Sequence, residues 1–173
     1  MRHYAVKKPF LKGWVRQSQV MVWFEEYDRS TELELFETDD QHHWEKCYSS
    51  MLPRAVLTAK NIRGESFEAR AALNEPHLSP IFSTDVCLPF LVWAMLFRTA
   101  ILCNHKGQSA RKEILVQRMS QELENILSSE KGSVLIVSHA LIMGIMSSIL
   151  IKKGFSGRKL GRTEHAKVYI FEK

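Results

Sequence analysis

Two histidines stand in settings that invite chemistry. His3 directly follows Arg2, and His139 follows Ser138 where the apolar run Val134-Leu135-Ile136-Val137 ends. Between them lie Arg54, within Ser49-Ser50-Met51-Leu52-Pro53-Arg54-Ala55 and followed by Thr58-Ala59, and Glu75, within Leu73-Asn74-Glu75. Such a set suits an anion, and a phosphoryl group above all. Phosphoryl transfer asks for in-line positioning and for cations around the equatorial oxygens, with little covalent work left to the protein. Two arginines and a second histidine answer that demand, and an arginine fork meets two phosphate oxygens at once, as a lysine does not. Singly, each residue has a plainer reading: His3 as a surface side chain, Arg54 as the partner of an acidic segment, His139 as a satisfied core histidine. The ordered set argues for function.

The elements that must position these residues follow from periodicity. Residues 132–151 contain 20 positions without Lys, Arg, Asp or Glu, long enough for a membrane span by hydropathy alone. Their order points elsewhere: a β-branched run fit for a buried parallel strand, a polar turn at Ser138-His139, then a helix rich in small and flexible residues from Ala140. The stretch from Val86 to Cys103 is interrupted by Pro89 and Arg98, so a helix beginning near Pro89 is predicted, with Phe90, Trp93 and Phe97 as an apolar stripe. That stripe reads as core, or as a lid over an apolar substrate. Further helices are predicted from a Ser18 cap to about Tyr27, over Pro53–Ile62, and from Arg111 to about Ser128 with Ile114, Leu115, Met119, Leu123, Ile126 and Leu127 on one face. Strands are predicted at Trp44–Ser49 and His165–Phe171, a short uncertain one within Ser66–Leu73, and a loop or irregular helix over Glu32–Gln41. Alternating strands and helices predict an α/β fold, a three-layer α/β/α sandwich with a mainly parallel central sheet. In such sheets ligands bind at the carboxyl ends of the strands, and His139 ends the strongest strand.

The 173 residues fit a single domain, 1–173, with 45% apolar composition to fill one core. The net charge of +5 is unevenly spread, with basic ends around an acidic segment at residues 25–46. Charge blocks of this kind are most often solvated surface, although Lys7, Lys8 and Lys12 are placed to attract further anionic groups. No nucleic-acid-binding signature is present, and none of the basic residues interleaves regularly with aromatics. Cys47, Cys87 and Cys103 form no CxxC pair, so reduced thiols without a disulfide are expected. With no apolar run after the basic start, no secretory signal peptide is read; a cytoplasmic protein without stable membrane insertion is expected. His42-His43 and Cys47 suggest a metal site only superficially, because adjacent side chains on an extended chain point to opposite faces. Neither a metal nor a cofactor is expected.

Together, Arg2-His3, the Ser50 to Ala59 segment, Leu73-Asn74-Glu75 and Ser138-His139 resemble, in order, the pattern of the histidine phosphatase superfamily, also called phosphoglycerate mutase-like. The resemblance covers roughly Met1 to Phe155. It implies that His3 is a nucleophile forming a phosphohistidine, that Arg2, Arg54 and His139 bind the phosphoryl oxygens, and that Glu75 is the general acid. Glu65 and Glu68 lie close enough in sequence to compete for that last role. The function implied is a metal-independent phosphomonoesterase acting on a phosphorylated small molecule or phosphoprotein. The alternative is a noncatalytic phosphate-binding or interaction relative that has lost turnover. The family also implies a variable cap, here an insertion around 76–110, whose apolar content points to a bulky or apolar alcohol. Three departures stand out. The family's first strand precedes Arg-His, whereas here Met1 does, so that strand is expected to be missing from the sheet. Tyr4 and Ala140 replace the glycines that usually follow the two histidines, and Tyr4 is expected in the pocket wall. The Thr and Asn that mutases carry after Arg-His are absent, which favours a phosphatase.

Overall fold

The computed structural model describes residues 1–35, 42–103, 105 and 111–173. In chain order the elements are β1 (Ala5–Val6), β2 (Trp14–Arg16), α1 (Gln17–Arg29), β3 (Leu33–Glu34), β4 (Lys46–Ser50), α2 (Pro53–Arg63), β5 (Glu68–Arg70) with a 3-10 turn over Ala71–Leu73, β6 (Cys87–Pro89), α3 (Phe90–Leu102), α4 (Lys112–Ser129), β7 (Val134–Val137) and α5 (Ala140–Lys152). Strands β5, β4 and β7 form a parallel sheet in that order. Its faces follow the two-residue period of the strands. On one, Cys47, Leu135 and Val137 pack with Ala55 and Ala59 of α2. On the other, Tyr48, Val134 and Ile136 pack with Leu123 and Ile126 of α4 and Ile142 and Met146 of α5. A strand apolar at every position is what burial on both faces requires, and helices cover this sheet on both sides.

Residues 1–3 lie where the first strand was expected to be missing. The Met1 nitrogen donates to Ile136 O (2.7 Å), Ser138 N–H to Met1 O (3.0 Å) and His3 N–H to Ser138 O (3.1 Å), with Arg2 in a parallel bridge to Ser138. The chain there forms no named strand, yet it lies alongside the end of β7 and brings His3 next to His139. Beyond it, β1 pairs antiparallel with β3. That pairing puts a short strand at Leu33–Glu34 within the 32–41 stretch, where the sequence predicts a loop or irregular helix. Residues 36–41 of that segment lie outside the described residues.

A separate layer is built from the antiparallel pair β2–β6 with α1 and α3. Its centre is Trp93, fully buried, whose indole N–H donates to Val15 O (2.9 Å) among Val20, Trp23, Phe90 and Phe97. The helix predicted near Pro89 starts one residue later, because Pro89 ends β6 opposite Trp14. The stripe Phe90, Trp93, Phe97 is core, while Leu91 and Met95 on the outer side are 72% and 70% exposed. Residues 104 and 106–110 of the expected cap insertion lie outside the described residues.

Three further readings are corrected, and the short strand expected within 66–73 is found. Ser18 lies inside the first turn of α1 and binds the Asp85 carboxylate through its N–H and hydroxyl; the helix is closed by the Gln19 side chain, which accepts the Arg16 N–H (2.8 Å). The 66–73 segment is a three-residue strand followed by the 3-10 turn. On α4 the buried stripe is Leu115, Met119, Leu123 and Ile126; Ile114 and Leu127 are exposed, being about a quarter-turn off a face of period 3.6. No strand forms over 165–171. Ala166 has φ 60°, a left-handed turn that breaks an extended run. The apolar alternation there reflects packing without a ladder: Val168 faces one core, Tyr169 and Phe171 the other. Among the described residues no helix is long and apolar enough to cross a membrane.

Candidate active site

Every one of the predicted site residues sits at or just beyond the carboxyl end of the parallel sheet, or on the helix that follows a strand. His3 lies beside the end of β7 and His139 immediately follows it. Arg54 is in the first turn of α2 after β4, and Glu75 follows β5 and its 3-10 turn. One cavity of about 580 Å³ is lined by Arg2, His3, Arg54 and Glu75. His139, buried behind the wall, has its ring centroid 5.0 Å from that of His3. Glu65 pairs with Lys60 and Glu68 with Arg70, both away from this cavity.

The tautomers follow from the partners. His3 Nδ1 lies 2.6 Å from Tyr4 O, a carbonyl that can only accept, so Nδ1 carries the proton. Nε2 is left with its lone pair, which accepts the Nε–H of Arg54 at 3.2 Å. Burial first, and then the neighbouring His139 imidazole and the Arg54 charge, hold this imidazole well below the ordinary histidine range, so it is neutral at neutral pH. His139 has the opposite arrangement. The Ser50 hydroxyl gives its proton to Asn74 Oδ1 (2.9 Å) and therefore accepts from His139 Nε2–H at 2.7 Å. The His139 Nδ1 lone pair is buried without a hydrogen-bond partner, 3.7 Å from Glu75 Oε2. Burial, followed by the charges of Arg54 and Arg2, keeps His139 neutral as well.

Arg54 is held from three sides. Its Nη1 donates to Asp28 Oδ1 (2.8 Å), its guanidinium lies 5.0 Å from the centroid of the Tyr27 ring, and its Nε reaches His3. Arg2 donates Nη1–H to Thr163 O (2.7 Å), while its buried Nε has no partner. Burial pushes the Glu75 carboxyl up, against Arg54, Arg2 and a backbone N–H from Leu141 in the first turn of α5. Taken together, the site joins a neutral imidazole whose Nε2 lone pair faces Arg54, guanidiniums on the cavity wall, a second imidazole behind that wall with an unpartnered nitrogen, and a carboxyl inclined to keep its proton.

Sequence reasoning missed four contributors. Asp28 and Tyr27 lie at the end of α1, where nothing in their spacing distinguishes them from a solvated helix end. His165 donates Nδ1–H to His3 O (3.0 Å) from a segment read as a strand. Asn74 accepts from Met51 N–H (2.7 Å) as well as from Ser50, and its position beside Glu75 was the only signal. Tyr4 is corrected: its ring is buried in the core under α2, its hydroxyl accepts from Asn61 Nδ2 (3.0 Å), and it does not line the cavity. Turning away is what places Tyr4 O on His3 Nδ1.

The Thr of the α2 segment also acquires a purpose. Thr58, fully buried, accepts the Tyr4 N–H (2.9 Å) and donates to Arg54 O (2.6 Å), joining the backbone of Arg54 to that of the residue after His3. Thr58→Val keeps the shape and strands the Tyr4 N–H in the core. The expected cost is about 1–3 kcal/mol of unfolding free energy, read from the urea midpoint at unchanged m-value.

Cys47 is buried and its thiol is pushed up to about 11 by burial, so it is a poor ligand for a metal. Among the described residues, no group of three or more His, Cys, Asp or Glu is arranged to hold a metal ion.

No protein-family profile matches this chain, and no curated protein is similar to it in sequence. In structure it is similar to phosphoglycerate mutase from Bacillus anthracis str. Sterne, with a TM-score of 0.53 and 18% identity, over 99% of this chain and 88% of that one. At that identity the likeness concerns the fold: the chain carries a mixed α/β fold, a parallel sheet flanked by helices, of the kind that mutase has.

Proposed function

We propose that the protein is a phosphomonoesterase that works through a phosphohistidine on His3 Nε2. The observation that carries this reading is the state of His3: neutral, with the proton fixed on Nδ1 and the Nε2 lone pair directed at Arg54 in a cavity that also holds Arg2 and Glu75. In the first step the Nε2 lone pair attacks phosphorus and the bond from phosphorus to the alcohol oxygen breaks. Glu75 gives its proton to that oxygen, and the alcohol leaves neutral. In the second, the Glu75 carboxylate takes a proton from water as the water oxygen bonds to phosphorus. The P–N bond breaks, its pair returns to Nε2, and inorganic phosphate departs. Arg2 and Arg54 neutralise the oxygens during both steps, and Arg54 exchanges its contact with Nε2 for one with the phosphoryl group. His139 has an unpartnered Nδ1 facing Glu75, suited to donating to a phosphoryl oxygen once the arriving anion favours its protonation.

Rapid acid-free quenching during turnover of a chromogenic phosphomonoester is the test. A phosphoryl group bound to protein, stable in alkali and lost in acid, is expected at His3. Turnover without any such adduct would rule out the covalent route, and phosphate binding without turnover would leave the noncatalytic reading in its place. Activity is expected to persist in a chelator.

A further inference from the structure

The cavity around His3 is much larger than a phosphoryl group needs. At about 580 Å³ it falls in the range that takes whole small-molecule ligands. Its cations gather at the His3 end. Arg2 and Arg54 are there, and Arg98 is close enough for its charge to act on Arg2. Much of the remaining wall comes from two helices, with Met21, Phe24 and Tyr27 on α1 and Phe90, Ala94 and Phe97 on α3, and His77 and His165 also line the cavity. This wall is firmly held, because Phe24 packs on Phe90 and Phe97 at centroid distances of 6.4 and 5.8 Å, over the buried Trp93 layer.

Such a wall discriminates. A hydroxyl or carboxylate pressed against it loses water and gains no partner, whereas each methylene buried there favours binding by about fourfold. Charge balance points the same way. Glu25 and Asp28 also line the cavity and offset two of its three guanidiniums, Asp28 already holding Arg54, while Glu75 meets the substrate with its proton. Among the described lining residues there is no lysine. One phosphoryl group can be neutralised, and a second anionic group on the same substrate meets carboxylates.

We infer that the substrate is a phosphomonoester with one phosphate on a neutral, extended apolar alcohol, an alkyl or aryl chain lying between α1 and α3. The inference rests on the phosphomonoesterase reading above and names its substrate class. It differs from what a sugar-acid phosphate would require, since that ligand carries a second anion and polar hydroxyls.

The test is a series of n-alkyl phosphates, ethyl, butyl, hexyl and octyl, used below micelle-forming concentrations. Their leaving oxygens are nearly equal in basicity, so differences in kcat/KM report burial of the chain. The expected result is a steady rise, with octyl phosphate ahead of ethyl phosphate by roughly a hundredfold or more, and with 3-phosphoglycerate slower than butyl phosphate. Ala94→Gln puts a polar side chain on the apolar wall while keeping a good helix former. It is expected to cut the octyl-to-ethyl ratio at least about tenfold, chiefly through KM. A flat series, or preference for 3-phosphoglycerate, would overturn the inference. If no ester is hydrolysed, the phosphomonoesterase reading falls by itself. Calorimetric affinities of the same esters for the wild-type protein then decide the inference alone: a rising series upholds it and a flat one overturns it.

Discussion

His3→Ala is expected to lower kcat/KM for a phosphomonoester by at least about ten-thousand-fold, roughly 5 kcal/mol of transition-state stabilisation. The size follows from the role. Removing a nucleophile removes the whole covalent route, and the remaining guanidiniums can only hold a phosphate for slow attack by water. The measurement is a steady-state assay of both proteins, with calorimetric binding of inorganic phosphate beside it. Phosphate affinity is expected to change far less than turnover, because Arg2 and Arg54 hold the anion without His3. Binding lost in parallel with activity would show a collapsed site, and equal rates in the two proteins would remove His3 from the mechanism. The acid limb of the wild-type kcat/KM profile belongs to the same residue. Burial depresses the His3 pKa well below the ordinary 6.5, so the attacking, neutral form persists as pH falls and the limb lies well below pH 6.5.

Glu75→Gln is expected to lower kcat by about a hundred- to ten-thousand-fold, and the loss should depend on the leaving group. An alkyl phosphate departs as a strong base and needs the proton. A nitrophenyl phosphate leaves readily and needs it little, so its first step survives and phosphohistidine accumulates, because the second step has lost its base. A residue that merely shaped the pocket would slow both esters equally, and that outcome would end the general-acid assignment. The pH dependence has a definite sign. Burial raises the Glu75 pKa above its ordinary 4.5, so the proton-bearing acid persists to higher pH than on a solvated carboxylate, and activity is lost as pH rises through the raised value. In the glutamine variant that basic limb disappears from kcat/KM.

Which parts of this were readable without coordinates has a physical pattern. The helix from Pro53 and the strand at Val134–Val137 depend on signals within a few residues: proline in a first turn, and an unbroken β-branched run. The predicted strand over 165–171 failed because apolar alternation reports which side chains are buried, and burial there is reached by a loop turning at Ala166. Ile114 and Leu127 lie near the apolar stripe in sequence but off its face, and spacing alone does not separate the two cases. Tyr4 turns into the core and not the pocket, and no local rule says to which side a residue next to a site residue turns.

By itself the sequence determined the inventory of chemistry, two histidines, two arginines and a glutamate in order along the chain, and the local elements that carry them, because residue type and short-range periodicity are local properties. Only the tertiary structure decided that His3 and His139 stand ring to ring, that Asp28 from one helix holds Arg54 of another, which nitrogen of each histidine bears the proton, and that the cavity beyond them is walled by α1 and α3. Except for the contact of His3 with the neighbouring Tyr4 carbonyl, each of those facts is a contact between residues far apart in the chain, set by how the layers pack, and spacing along the sequence carries no information about it.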